Sequence, residues 1–167
     1  MRRIAIAPLI AAVALVGGLV VGFAPAGASV PVKNNSCKVL KGSDVTKVTG
    51  FIASKAITRP GPPRAAICGY SLADPATTRD VSVFVLPHGA QEAKIGYRTA
   101  KKAFKDQIEP VSGFGKNAFY AGGGLNTLYV LKGDTLLYVQ YVALADGEAP
   151  GIKAAVEAMT KIALARV

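Results

Sequence analysis

The chain has no tryptophan and one histidine, and its 10 acidic residues are half as many as its 20 lysines and arginines. The histidine, His88, stands between Pro87 and Gly89 in a predicted turn. A serine or cysteine nucleophile of the usual kind needs histidine as its base, so the sequence offers no such site away from this turn. One histidine is also too few for a Cys/His metal site. We therefore predict no catalytic residue, no metal, no cofactor and no enzymatic activity.

Paired-carboxylate catalysis is not indicated either, because the scarce acidic residues fall mostly at predicted turns. Catalysis of that kind holds two acids at a fixed separation, whereas an aspartate in a turn is explained by hydrogen bonds to nearby backbone. No pair stands out among the residues concerned, which are Asp74, Asp80, Asp106, Glu109, Asp134, Asp146 and Glu148.

One glycine pattern matches a cofactor motif in spacing but not in context. Gly113, Gly115 and Ala118 fit G-x-G-x-x-A, with Asp134 about twenty residues later. In a dinucleotide-binding fold a helix begins at these glycines, and its N-terminus meets the pyrophosphate. Here a strand containing Phe119 is predicted to follow, which excludes a dinucleotide site.

The N-terminus has the pattern of a secretory signal peptide. Arg2 and Arg3 are followed by an unbroken apolar run over residues 4–23, and no basic cluster comes after the run. The run is also long enough to stay in a bilayer, so retention as a membrane anchor is the alternative. The sequence favours export across the cytoplasmic membrane.

Small residues directly after the apolar run mark a cleavage site. Ala26 and Ala28 occupy the two positions that signal peptidase requires to be small, which predicts cleavage between Ala28 and Ser29. No cysteine stands at this point, which argues against a lipoprotein. The predicted segments are a signal peptide at 1–28, a flexible leader at 29–36 and a single domain at 37–167.

The exported part is small and basic. Cleavage leaves 167 − 28 = 139 residues, and its charge is 18 − 10 = +8 once Arg2 and Arg3 are removed. A domain of about this size builds a core without a metal. Its positive charge favours an anionic partner outside the cell, such as an acidic wall polymer. The alternative is a charge that only keeps the protein soluble.

The two cysteines, Cys37 and Cys68, both lie in the exported part. Export leads to an oxidising compartment, so we predict a disulfide between them. It would close a loop of about 30 residues and stabilise the fold by roughly 3–4 kcal/mol. Free or metal-binding thiols are the alternative.

Hydrophobic periodicity divides the domain into helices and strands. Alternation predicts strands, and apolar positions at helical spacing predict helices. The proline-rich segment 59–64 is predicted to be a loop. The predicted helices are 43–50, 90–108 and one from about 150; the predicted strands are 66–72, 80–86, 117–121, 127–131 and 135–143. This order predicts an α+β fold with about five antiparallel strands, helices on one face and one disulfide.

A basic stripe on the long helix is the main candidate for anion binding. Lys94, Arg98, Lys101 and Lys105 follow one another at i, i+4, i+7 and i+11, with Lys102 beside them. Aligned cations of this kind engage phosphate, uronate or sulfate groups. The alternative is the ordinary solvated face of an amphipathic helix.

Tyrosines crowd the last three predicted strands. Tyr120, Tyr129 and Tyr138 are candidates for lining a ligand pocket, because tyrosine combines an apolar ring with a polar tip. Tyr141 points to the opposite face from Tyr138 by alternation. The alternative is that these tyrosines are aromatic residues at the edge of the core.

A spaced pattern of short motifs runs through most of the exported part and ends in an alanine-rich helix. It comprises Cys37, Asp44-Val45, Val48-Thr49-Gly50, Cys68-Gly69-Tyr70, Val111-Ser112-Gly113-Phe114-Gly115, Ala118-Phe119, Leu128-Tyr129-Val130 and Lys132-Gly133. With this pattern the chain resembles uncharacterised two-cysteine domains secreted by actinobacteria, which are similar to extracellular sensor domains of membrane receptor kinases. The resemblance implies an antiparallel sheet with flanking helices, a Cys37–Cys68 bridge and a ligand cleft, but no catalysis. Lys116 stands where such domains commonly have an acid, so an acid-dependent contact there is in doubt.

Together these observations predict a secreted, non-enzymatic binding domain at the bacterial cell envelope. Its partner would be an anionic envelope polymer, a small ligand or another protein. Nucleic acid is not indicated, and the membrane is reached only through an uncleaved signal segment. Two alternatives stay open: a secreted hydrolase with an unrecognised site, and an effector or inhibitor that uses the 59–64 loop as a wedge.

Overall fold

A computed structural model describes residues 36–60, 65–86, 90–143 and 151–167. The predicted signal peptide, nearly all of the predicted leader, most of the 59–64 loop and His88 lie outside these residues. Within the described ranges, no helix is long and apolar enough to cross a bilayer.

The described ranges contain four helices and seven strands. The helices are α1 (Ser36–Val39), α2 (Gly42–Thr49), α3 (Ala90–Ala103) and α4 (Ile152–Leu164), and a 3₁₀ turn covers Lys105–Gln107. The strands are β1 (Ile57–Pro60), β2 (Ala66–Leu72), β3 (Arg79–Leu86), β4 (Ile108–Glu109), β5 (Ala118–Ala121), β6 (Thr127–Lys132) and β7 (Thr135–Ala143).

The strands form one antiparallel sheet in the order β1-β2-β3-β7-β6-β5-β4. The α+β class and the antiparallel pairing are as predicted, but the sheet has seven strands where the sequence predicts about five. The two additional strands, β1 and β4, are the edges. Both are short and lack alternation, and β1 ends in Pro60, a residue tolerated at a sheet edge because it has no N–H to pair.

Helices cover both faces of the sheet, so the prediction that they pack on one face is wrong. One face packs against α1, α2 and α4, with Val83, Val139 and Met159 in the core. The other face packs against α3, with Phe84, Phe119 and Tyr97 in a second core. The strands in the middle of the sheet are apolar on both sides, and each apolar face must be covered. We call these faces the disulfide face and the α3 face.

The long helix is shorter than its periodicity predicts. The sequence predicts a helix over 90–108, whereas α3 ends at Ala103 and Ile108 lies in strand β4. The chain leaves the helix through a 3₁₀ turn, where the Gln107 N–H donates to the Phe104 carbonyl at 2.8 Å. Ile108 fits the apolar spacing of the helix, but it is not part of the helix. It pairs with Ala121 on β5.

The predicted disulfide is confirmed. Cys37 of α1 is bonded to Cys68 of β2 and closes a loop with a sequence separation of 31. Cys68 is fully buried on the disulfide face, so the bond fastens the first described helix to the sheet.

Candidate functional site

The predicted basic stripe lies on the exposed side of α3, except that Lys105 falls in the 3₁₀ turn after the helix and not on the helix as predicted. Ala93 and Tyr97 of the same helix are buried against the sheet. The aromatic ring of Tyr97 meets that of Phe119 edge-on, with centroids 5.3 Å apart. Because this side of the helix faces the core, the cations face solvent. We call them the cationic surface, which comprises Lys94, Arg98, Lys101, Lys102 and Lys105, all exposed.

Little negative charge opposes the cationic surface. The Lys94 Nζ lies 4.0 Å from the Asp134 carboxylate in the β6–β7 turn, and both side chains are about half exposed. Within the described part of the chain, no other cation of this surface has an acid within ion-pair distance. An exposed ion pair at that separation has only a weak interaction energy. The surface therefore keeps most of its charge available for a ligand.

The three candidate pocket tyrosines are not brought together. Tyr129 and Tyr138 lie side by side under α3, with ring centroids 5.4 Å apart. Tyr138 also stacks on Phe84, and Tyr129 stacks on Phe119, both at 4.8 Å. Tyr120 points to the disulfide face, where it is buried. These rings form core packing, and neither of the two described pockets is lined by any of the three.

Burial changes the chemistry of the tyrosines under α3. Burial and the neighbouring Tyr138 raise the pKa of Tyr129 to about 12. Burial also raises the pKa of Tyr138. Both hydroxyls therefore stay protonated at physiological pH, and they offer neutral groups rather than phenolate bases.

A groove that the sequence does not predict lies on the α3 face, where β1, β2, β3 and β7 run beyond the helix. It has a volume of about 230 Å³. The Ser71 hydroxyl donates to the Asp80 carboxylate at 2.7 Å. The Gln140 amide donates to the Thr127 hydroxyl at 3.2 Å. We call this site the sheet groove; its lining includes Ile57, Arg59, Ser71, Asp80, Ser82, Gln140 and Val142.

A second pocket opens on the disulfide face between α2, α4 and the ends of β3 and β7. Arg79 lies in its wall, where it pairs with Asp74 at 2.5 Å and donates to the Tyr141 hydroxyl at 3.4 Å. Its guanidinium also lies over the Phe51 ring, 4.8 Å from the centroid. These contacts use Arg79 as a structural group that fixes the end of the sheet.

The Asp74 carboxylate is held in its charged form. The backbone N–H of Ala76 and the Arg79 side chain lower the pKa of Asp74 below its ordinary value. An acid held in this way does not serve as a proton donor near neutral pH.

The described residues contain no metal-binding cluster and no free thiol. No group of three or more His, Cys, Asp or Glu side chains among them is arranged to hold a metal ion. Both cysteines are consumed by the disulfide. The glycines of the G-x-G-x-x-A pattern precede strand β5, so a strand follows them, as predicted, and not a helix.

The sheet groove was missed because its residues give no motif. Ser82 and Asp80 alternate with buried valines on β3, a pattern that normally indicates a solvent-exposed sheet face. The signal that identifies a groove is that Gly69 and Ser71 on the neighbouring strand are also small or polar. That signal appears only once the strand register is known.

Comparison of the chain with protein-family models, curated proteins and solved structures found no match.

Proposed function

We propose that the protein is a secreted, non-enzymatic binding domain of the bacterial cell envelope that holds an anionic envelope polymer on the cationic surface of α3. The observation that carries the proposal is the exposure of four cations on α3 and of Lys105 in the 3₁₀ turn that follows it, opposed among the described residues by one distant acid. Their arrangement suits a partner that presents several negative groups in succession.

The spacing of the cations supports a polymer rather than a single small anion. An α-helix rises about 1.5 Å per residue, so Lys94 and Lys101 are separated by about 10 Å along the axis. Arg98 lies between them and offers a planar fork of donors that suits a phosphate or a carboxylate. A polymer contacts several cations at once, and such contacts reinforce one another.

No described arrangement of side chains favours the hydrolase alternative. The confirmed disulfide is consistent with an oxidising, extracytoplasmic location. The signal peptide, which would deliver the domain there, stays a prediction.

Retention on purified cell wall across a salt series tests the proposal. The test variant changes Lys94, Arg98, Lys101 and Lys105 to glutamine. The matched control removes the same charge elsewhere by changing four exposed lysines to glutamine, namely Lys38, Lys47, Lys55 and Lys116.

We expect wild type and the control to be retained at low salt and released as salt rises, because exposed charges are screened. We expect the α3 variant to bind about tenfold more weakly or worse. Equal losses in the two variants would show that only net charge matters and would overturn the assignment to α3. Retention on the cell wall that does not respond to salt would overturn the proposal that the partner is a polyanion.

A further inference from the structure

The sheet groove consists of two rows of side chains that cross the strands. In one row, Gly69 lies opposite Ser82, and Ser82 lies opposite Gln140. In the next row, Asp80 lies between Ser71 on β2 and Val142 on β7. Neighbouring strands are about 4.8 Å apart, so the rows form a grid of polar groups at that spacing.

Several hydrogen-bonding groups of the grid stay available to a ligand. Ser71 uses one carboxylate oxygen of Asp80, and the second oxygen has no partner among the described residues. Gln140 donates through its nitrogen to Thr127, which leaves its amide oxygen as an acceptor. The Ser82 hydroxyl adds a group that both donates and accepts. The floor therefore presents mixed donors and acceptors.

The charged groups of the groove favour a neutral ligand over an anion or a metal ion. Asp80 places a carboxylate on the floor, which repels an anion, while the exposed Arg59 at the rim balances it. One carboxylate is too few to hold a metal ion. A neutral ligand with its own donors and acceptors suits this balance, since specificity then comes from hydrogen bonds to fixed polar groups.

Two other neutral partners fit less well. An extended peptide binds a sheet by pairing with an edge strand. The floor strands β2, β3 and β7 are each paired on both sides, and the edge strand β1 has only 4 residues and ends in Pro60, which has no N–H to donate. A lipid chain needs an apolar lining, but the floor carries Asp80, Ser82 and Gln140. The apolar groups lie at the margins, where Ile57 is 49% exposed, and can contact the C–H face of a sugar ring.

We propose that the sheet groove binds a neutral saccharide unit through Asp80, Ser82 and Gln140. Its volume of about 230 Å³ lies below the range of about 300–1,000 Å³ typical of sites for larger small molecules, as suits one short sugar segment. The site is separate from the cationic surface and does not rest on the function proposed for it.

Gly69 provides a means of blocking the groove without disturbing the backbone. A Cβ at this position would meet only the Ile57 carbonyl oxygen at 3.8 Å and the Ser82 hydroxyl at 4.0 Å, which are ordinary contacts. Gly69→Ala therefore leaves most of the groove open, whereas Gly69→Leu fills it. The two variants form a size series at one position, and thermal unfolding of each checks that the fold is kept.

The test is a ¹H–¹⁵N NMR titration of the oxidised protein with N-acetylglucosamine, its disaccharide, glucose, mannose and arabinose. We expect at least one sugar to shift the backbone amides of Gly69, Ser82 and Gln140. We expect binding to be lost in Gly69→Leu, to be nearly unchanged in Gly69→Ala, and to vary little between about 50 and about 500 mM salt.

Three outcomes would overturn the saccharide site: no shifts with any of these sugars at millimolar concentration, shifts confined to α3, or wild-type binding by Gly69→Leu. The glutamine variant of the cationic surface serves as the second control. It should bind the sugar as wild type does, so failure of the polymer proposal and failure of the saccharide proposal are distinguishable.

Discussion

Asn126 shows how a single residue fixes the turn between β5 and β6. Its side chain is 1% exposed, and its backbone has a positive φ of 40°. The Tyr120 hydroxyl donates to its amide oxygen at 2.7 Å, and the Tyr141 N–H donates to its carbonyl at 3.1 Å. Asparagine tolerates this backbone region better than most residues, so one side chain serves both the turn and the core.

Asn126→Ala should lower the free energy of unfolding by about 1–3 kcal/mol, because the buried hydrogen bond between the Tyr120 hydroxyl and the Asn126 amide oxygen is lost. Urea unfolding of the oxidised protein measures the change. Asn117→Ala is the matched control, since Asn117 is exposed and its carbonyl, which accepts the Leu131 N–H at 2.9 Å, is kept. The control should change stability by no more than about 0.5 kcal/mol, and equal losses in the two variants would contradict the role given to Asn126.

At the scale of elements, an ion pair joins the start of the domain to its end. Arg166, just after α4, donates to both carboxylate oxygens of Asp44 in α2, at 2.5 and 3.1 Å. It also donates to the Val39 carbonyl at 3.1 Å. Asp44 in turn accepts the Lys41 N–H at 2.8 Å, which caps the first turn of α2. One carboxylate therefore stabilises a helix start and a helix–helix contact.

This carboxylate makes stability depend on pH. The Arg166 side chain, with the Lys41 N–H, lowers the pKa of Asp44 below its ordinary value of 3.8. Its contribution is therefore present above about pH 4 and is lost as the pH falls through the folded-state pKa. We expect the urea midpoint to fall on acidification from about pH 7 to about pH 3, and to fall less in Asp44→Asn.

The control for the pH measurement is Asp106→Asn, because Asp106 is exposed and has no ion pair among the described residues. Its acid response should match that of wild type. Asp74, whose pKa is also lowered, contributes with the same sign, so Asp44→Asn should reduce the acid response without abolishing it. Parallel curves for wild type and Asp44→Asn would disprove the contribution of this pair.

The elements that can be predicted from the sequence are those with a regular hydrophobic period. On β7, alternation correctly places Tyr138 and Tyr141 on opposite faces, because each face packs against its own helices. The edge strands could not be predicted. Strand β4 has two residues, which is too short for a pattern, and β1 is a strand only because it pairs with β2. The exposure of the α3 cations follows from helix geometry, whereas the sheet groove depends on where α3 stops covering the sheet.

For the whole molecule, the prediction that matters most concerns its N-terminus. If Ala26 and Ala28 form the cleavage site, intact mass spectrometry of protein recovered outside the cytoplasm should find a chain that begins at Ser29 with no free thiol. Replacing Ala28 with leucine should leave the precursor uncleaved, because the peptidase needs a small side chain there. Ala5→Leu, within the apolar run, is the matched control and should still be processed.

A mature species that began at Met1, stayed in the cytosol and kept both cysteines reduced would contradict export. It would also remove the envelope polymer as a partner, although the saccharide site would stand on its own geometry. The location of the protein and the chemistry of its groove are therefore separate questions with separate measurements.

The disulfide has a mechanical consequence if the domain holds a polymer outside the cell, as we propose. If tension is applied between the N-terminal side of Ser36 and the C-terminus, it passes from Cys37 directly into β2 through the sulfur bridge. The stretch between the two cysteines, which contains α2 and β1, then bears no load. Extension under force must begin at β2 or at a later element. The oxidised molecule therefore reaches a shorter fully extended length than the reduced one.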